Sequence, residues 1–225
     1  MYKSGAFSQN TAATSSRSSQ AEPSSETPLG ASNVREKLSG SAAALFQRFG
    51  YAHVSIRHIT SSIDIPKGRF YNHFKSKEAL ASAILSRHFD ALLETLGQNG
   101  SEAASARLRR HFESIAPSTR EPGVSPLQLI STFSAEGPAL PSALALQIAE
   151  GVRLWNTKVA ALISLAQAEG QIAAEEDPDQ LASLFINCWQ GATIRAKCDS
   201  SARCDCLRLA LDRVLGASSR GGRNE

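Results

Sequence analysis

The chain has 225 residues, a net charge of +3 and an isoelectric point near 8.8, a mild basicity that permits a nucleic-acid partner without demanding one. With 42% hydrophobic and 20% charged residues it has enough apolar material for a substantial core without staples. No run is apolar for long enough to span a bilayer, and Met1-Tyr2-Lys3-Ser4 lacks the apolar core of a secretory leader, so a cytoplasmic protein with no membrane partner is expected. The cysteines (Cys188, Cys198, Cys204 and Cys206) crowd into the last fifth of the chain rather than framing a fold, which predicts reduced thiols.

Residues 1–31 are rich in Ser, Thr, Ala, Pro and Gln with no apolar period, and they read as a disordered tail. A DNA-grazing arm is the alternative, since Lys3 and Arg17 are basic, although Glu22 and Glu26 offset them. Order begins at Ser32-Asn33, a helix N-cap pair. Val34, Leu38, Leu45, Phe46 and Phe49 follow at helical spacing, and Gly50 closes the helix. Ser55 caps a second helix with Ile56, Ile59 and Ile63 inward. Asp64 occupies a tight turn, and Pro66 suits the first turn of a third helix carrying Lys67 through Phe74. Ser76-Lys77-Glu78 starts a long fourth helix with Leu80, Ile84, Phe89, Leu92 and Leu96 as its stripe.

Further helical segments are expected at residues 101–115, 127–135, 141–169, 178–199 and 202–215, before a polar tail. No alternating run suggests a sheet, so the fold class is all-α. The expected division is a head at residues 32–77, a larger helical domain at 78–216 and a tail at 217–225.

Two short helices across a tight turn, braced by a preceding helix, make a helix-turn-helix. Phe70 and Phe74 lie four apart and anchor the second helix inward. Lys67, Arg69 and Asn72 are then left as base readers, because Lys and Arg match guanine acceptors and Asn can pair with adenine. Gly68 allows close backbone approach. Ser55, Tyr71, His73 and Lys75 suit phosphate oxygens, which set register, and Arg57 completes the expected DNA-binding set. The plainer alternative is a solvated basic face. Local charge favours DNA, since Arg35, Lys37, Arg48, Arg57, Lys67, Arg69, Lys75 and Lys77 crowd a region whose acids are Glu36, Asp64 and Glu78.

The stretch from Leu45-Phe46-Gln47-Arg48-Phe49-Gly50-Tyr51 through Ser55-Ile56-Arg57-His58-Ile59 to Lys67-Gly68-Arg69-Phe70-Tyr71-Asn72-His73-Phe74-Lys75-Ser76-Lys77-Glu78-Ala79-Leu80 resembles the DNA-binding domain of the TetR (tetracycline repressor) family. The likeness covers residues 32–89. It implies an all-α homodimer with a three-helix head and a C-terminal effector domain. Such proteins are mostly repressors whose heads separate when a small molecule enters. Asp64 stands where the family usually has Gly, which the tight turn accommodates, and Arg69 stands where a small residue is common, which for its part implies an unusual operator.

Farther on, Trp155, Ala168-Glu169-Gly170-Gln171-Ile172, Asp177-Pro178-Asp179, Cys188-Trp189-Gln190-Gly191-Ala192 and Arg195-Ala196-Lys197 resemble the family subset that senses electrophiles and unsaturated acids. Some of those carry a reactive cysteine where this chain has Gln128, which argues against thiol sensing there. Phe133, Trp155 and Trp189 are candidate walls of an effector pocket, with Gln128 or Arg153 supplying polarity. Ordinary core packing is the alternative. Leu181, Leu184, Phe185 and Cys188, then Leu207, Leu211 and Val214, give the last two long helices apolar stripes suited to a homodimeric four-helix bundle.

Cys198, Cys204 and Cys206 fit no common zinc spacing, so inert thiols are expected over a metal or redox switch. No cofactor is expected. No nucleophile–base pattern or phosphate-cradling Gly loop supports an enzyme. The remaining alternatives are a helical protein–protein adaptor and an activator instead of a repressor. The expected partners are a double-stranded DNA operator, a small-molecule effector and a second copy of the chain.

Overall fold

The computed structural model describes residues 28–97, 102–115, 126–196 and 205–216, and every regular element among them is helical. The helices are α1 (Pro28–Phe49), α2 (Ile56–Ser62), α3 (Lys67–Tyr71), α4 (Lys77–Gly97), α5 (Ala104–Ser114), α6 (Pro126–Glu136), α7 (Ser142–Ala168), α8 (Pro178–Ala196) and α9 (Asp205–Gly216). A 3-10 turn at Gly137–Ala139 separates α6 from α7. Of the expected tails, residues 1–27 and 217–225 lie outside the described residues, whereas Pro28 to Ala31, expected in the disordered tail, belong to a helix.

Two helix boundaries at the head differ from the sequence reading, and the helix expected at 101–115 begins only at Ala104. α1 begins at Pro28 rather than at the Ser32-Asn33 pair. Proline fits a first helical turn because its missing N–H has no acceptor there. α3 ends at Tyr71, short of Phe74, although Phe74 N–H still bonds Phe70 O at 3.0 Å. The inward stripe of α1 is Leu38, Ala42 and Phe46, each buried, while Phe49 is half exposed with Arg48 over its ring. Periodicity placed Phe49 one turn too far along, where the helix has already reached the surface.

Phe46, Ile59, Phe70 and Phe74 of the head are buried in one continuous core with Leu80 and Ile84 of α4, which lies against α1. α7 lies against α4, α5 and α8, α6 touches α1, α4 and α8, and α9 rests on α8. α4 and α7 approach closely at Gly151, where an added Cβ would stand 2.5 Å from the Phe89 ring. At the start of α5, where Ala103 has no capping side chain, Glu169 Oε2 accepts Ala104 N–H at 2.9 Å. Gln171 Oε1 accepts Ser105 N–H at 2.8 Å. The α7–α8 link thereby satisfies donors that a helix start leaves open.

Candidate DNA-reading face and sensor core

Ser55 Oγ accepts His58 N–H at 3.1 Å while His58 Nδ1 accepts Ser55 N–H, closing a capping box that starts α2 sharply. Asp64 then holds φ at +53°, the left-handed conformation that turns the chain into α3. Phe70 and Phe74 face inward with centroids 6.0 Å apart. Lys67, Gly68, Arg69, Tyr71, Asn72 and Lys75 are exposed, as are Ser55 and Arg57 on α2 and its cap. His73 departs from this set. It is half-buried, its Nε2 is sealed from solvent with no partner among the described residues, and its backbone carbonyl accepts Arg35 Nη1 at 2.8 Å. Burial, then the charges of Arg35 and Arg69, hold its pKa below the usual value.

The basic residues of the head divide by role. Arg35 stacks on Phe74 at 4.3 Å. Lys77 turns inward, donating to Tyr51 O and Val54 O, both at 2.9 Å, with its ammonium 4.0 Å from the Tyr51 ring centroid. Burial lowers its pKa, while Glu136 acts in the opposite direction. Arg57, Lys67, Arg69 and Lys75 remain on the outward side.

Glu136 closes a contact that no sequence pattern announced. Tyr51 N–H donates to its Oε1, and Ala52 N–H donates to its Oε2 at 2.9 Å. The link between α1 and α2 is thus clasped by the last residue of α6. Gly50 makes room for it, since its φ is +84° and any Cβ there would meet the Glu136 carboxylate. Phe133 reinforces the clasp, with its ring 5.6 Å from that of Phe46 and 5.8 Å from that of Tyr51. Phe133 therefore belongs to the junction with the head rather than to a group with the tryptophans.

Trp155 of α7 and Trp189 of α8 are both fully buried and meet edge to face at 6.2 Å. Phe112 packs on Trp155 and on Phe185. His111, which the sequence reading passed over, sits fully buried among them. Trp155 Nε1–H donates to His111 Nε2 at 2.9 Å. Thr95 Oγ1 lies 2.6 Å from His111 Nδ1 and donates its own hydrogen to Leu92 O at 2.7 Å. These bonds assign the imidazole hydrogen to Nδ1, donating to Thr95, and leave Nε2 as acceptor. Burial pushes the His111 pKa down to about 3. Gln128 is half-buried on α6. Arg153 is exposed, because two helix steps from Trp155 turn it to another side.

Leu181 and Phe185 of α8, expected at a dimer seam, are consumed inside the chain together with Leu211 of α9. Among the described residues, the large apolar side chains left outward on these helices are Leu184, Ile194 and Leu209. Cys188 and Val214 are half-buried and packed against the core. Cys198 and Cys204 lie outside the described residues, and Cys206 falls in the first turn of α9. Among the described residues no cluster of three or more His, Cys, Asp or Glu is placed to hold a metal, and no helix is long and apolar enough to cross a membrane.

A short helix held across a tight turn, with aromatic anchors inward and cationic and amide groups outward, defines a helix-turn-helix DNA-binding regulator. Comparison with known proteins narrows the class. Residues 40–84 match the model for bacterial regulatory proteins of the tetR family, and residues 104–210 match that for the tetracyclin repressor-like C-terminal domain. The chain is 31% identical over 185 residues to the HTH-type transcriptional repressor DhaR of Mycobacterium sp. (strain GP1), covering 81% of this chain and 88% of that one. It is 32% identical over 151 residues to the transcriptional regulator AcuR of Cereibacter sphaeroides, 66% of this chain and 69% of that one. In structure it is similar to a TetR regulatory protein from Rhodobacter sphaeroides, with a TM-score of 0.66 and 28% identity over 81% of this chain and 97% of that one. The fold is also shared with reduced NemR of E. coli, with a TM-score of 0.68 over 82% of this chain and 96% of that one, at 24% identity. The chain belongs to the TetR family, whose members are ligand-responsive DNA-binding regulators that act as dimers.

Proposed function

We propose that this protein is a repressor that binds a near-palindromic operator as a homodimer and leaves it when a small molecule enters the tryptophan cluster. The observation that carries the reading is the outward row on and after α3: Lys67, Arg69, Tyr71, Asn72 and Lys75 exposed over buried Phe70 and Phe74. Lys67, Arg69 and Asn72 read bases, and Gly68 lets the helix approach the groove. Ser55, Arg57, Tyr71 and Lys75 hold phosphates, while His73 positions the end of the reading helix through its bond to Arg35. Repression is supported by the likeness to DhaR, itself described as a repressor.

Residues up to Lys77 form the head in this reading, and α4 to α9 form the sensor and dimer domain. Glu136 couples them, because α6 lies against α8, which carries Trp189, and ends on the hinge of the head. The dimer forms through the outward faces of α8 and α9. Selection from random duplex DNA tests the reading. The full chain should enrich inverted repeats with half-sites one helical turn apart. Arg69→Ala should cost about 1–3 kcal/mol on that site and relax the choice at one base pair per half-site. Failure to enrich any sequence would contradict the proposal.

A further inference from the structure

Trp189 has no exposed surface, and its indole N–H finds no hydrogen-bond partner among the described residues. Buried donors are nearly always paired, and one left unpaired is destabilising, so it calls for an explanation. Its neighbours show that the cluster otherwise satisfies its ring nitrogens. Trp155 donates to His111 Nε2, and His111 Nδ1–H donates to Thr95. Trp189 alone among these three rings presents an N–H with nothing to receive it, edge to face with Trp155, on which Phe112 packs, with Phe185 against Phe112 in turn.

Charge limits what can answer that donor. Among the described residues no Lys, Arg, Asp or Glu is buried. On α5, Arg109 pairs with Asp212 and Arg110 with Glu102. Arg107, half-buried and bonded to Leu96 O, keeps an Nε without a partner one turn before His111. A carboxylate placed at Trp189 would be an anion in an aromatic core with no buried cation beside it, which is heavily penalised. A neutral oxygen meets no such penalty.

We infer that the tryptophan cluster takes a small uncharged molecule whose carbonyl-type oxygen accepts the Trp189 N–H while its apolar body packs among the rings of Trp155, Phe112 and Phe185. The inference rests on the reading that this cluster is the effector site. Both tryptophans of the chain lie in it, so tryptophan emission of the full-length protein reports on this place alone. Three probes of one ring size separate the chemistries: cyclohexanone, cyclohexanecarboxylate and methylcyclohexane.

Cyclohexanone should change the emission saturably and bind roughly fivefold or more tighter than methylcyclohexane, with the carboxylate weakest. In Trp189→Phe, where Trp155 still reports, cyclohexanone should lose roughly five- to tenfold in affinity and methylcyclohexane should be unchanged. The wild-type ranking stands as a test even if that variant folds poorly. Carboxylate binding equal to or tighter than that of the ketone would move the anchor to Arg107 and overturn the inference. Ketone and hydrocarbon binding equally, or undiminished ketone binding to Trp189→Phe, would overturn it too; in all three cases the effector site would survive. Silence from all three probes would mean a closed core, holding at most a fixed water, and would overturn both.

Discussion

His111 is held as a neutral imidazole between Thr95, which accepts from its Nδ1–H, and Trp155, which leaves no acceptor for a second ring proton. Trp155 presents an N–H to its Nε2, so a proton added there would set donor against donor inside the core. The consequence is a pH dependence with a defined sign. Above its ordinary pKa of 6.5 the ring is neutral in both folded and unfolded chains, and stability does not change through this group. As pH falls from 6.5 toward about 3, the unfolded chain takes up a proton that the folded one excludes, and stability drops. The slope should approach about 1.4 kcal/mol per pH unit at most. Urea melts of wild type and His111→Gln at pH 7, 6 and 5 isolate the term: the variant starts less stable but loses less on acidification. Equal slopes would remove His111 as the cause.

At the scale of elements, α6 is a strut with its last turn on the α1–α2 link. The Glu136 carboxylate holds two backbone donors, and only a residue without Cβ fits at position 50. Glu136→Gln weakens the grip by exchanging one acceptor oxygen for a donor, a loss of about 1–2 kcal/mol. Gly50→Ala forces a left-handed backbone on a side chain that also collides with the carboxylate, costing about 2 kcal/mol or more. The two substitutions damage one contact, so their combined loss in denaturant unfolding should fall short of the sum. Strict additivity would show that the clasp is not shared.

The capped start at Ser55, the Asp64 turn and the Phe70–Phe74 pair were legible because each is decided by residues within a few positions. The Glu136 clasp was not, since its partners lie 84 and 85 residues away and are backbone N–H groups, which every residue but proline has. Phe133 was recognisable as buried, but periodicity names no neighbour, and it packs on the head instead of on Trp155. Arg153 and Trp155 are close in sequence and diverge on the helix. Lys77 added to the apparent charge of the head's outward face although it is turned into the α1–α2 link.

In the whole molecule, the proposed dimer would use the apolar side chains that, among the described residues, stay outward on α8 and α9. Leu184 is 46% exposed and Leu209 55%, far more open than Leu181 and Phe185, which the chain buries within itself. A second copy that covers these faces would double the number of phosphates met by Arg57, Lys67 and Lys75. Each phosphate neutralised adds about 0.9 to the steepness of the log–log salt dependence. The most direct test is therefore a fluorescence-anisotropy titration of the full chain on its selected duplex at several salt concentrations, with Leu184→Asp run in parallel. The wild type should show a slope of about −5, and Leu184→Asp should bind more weakly with about half that slope. A slope near zero for the wild type would contradict DNA binding through the α3 face, and an unchanged Leu184→Asp would contradict the dimer.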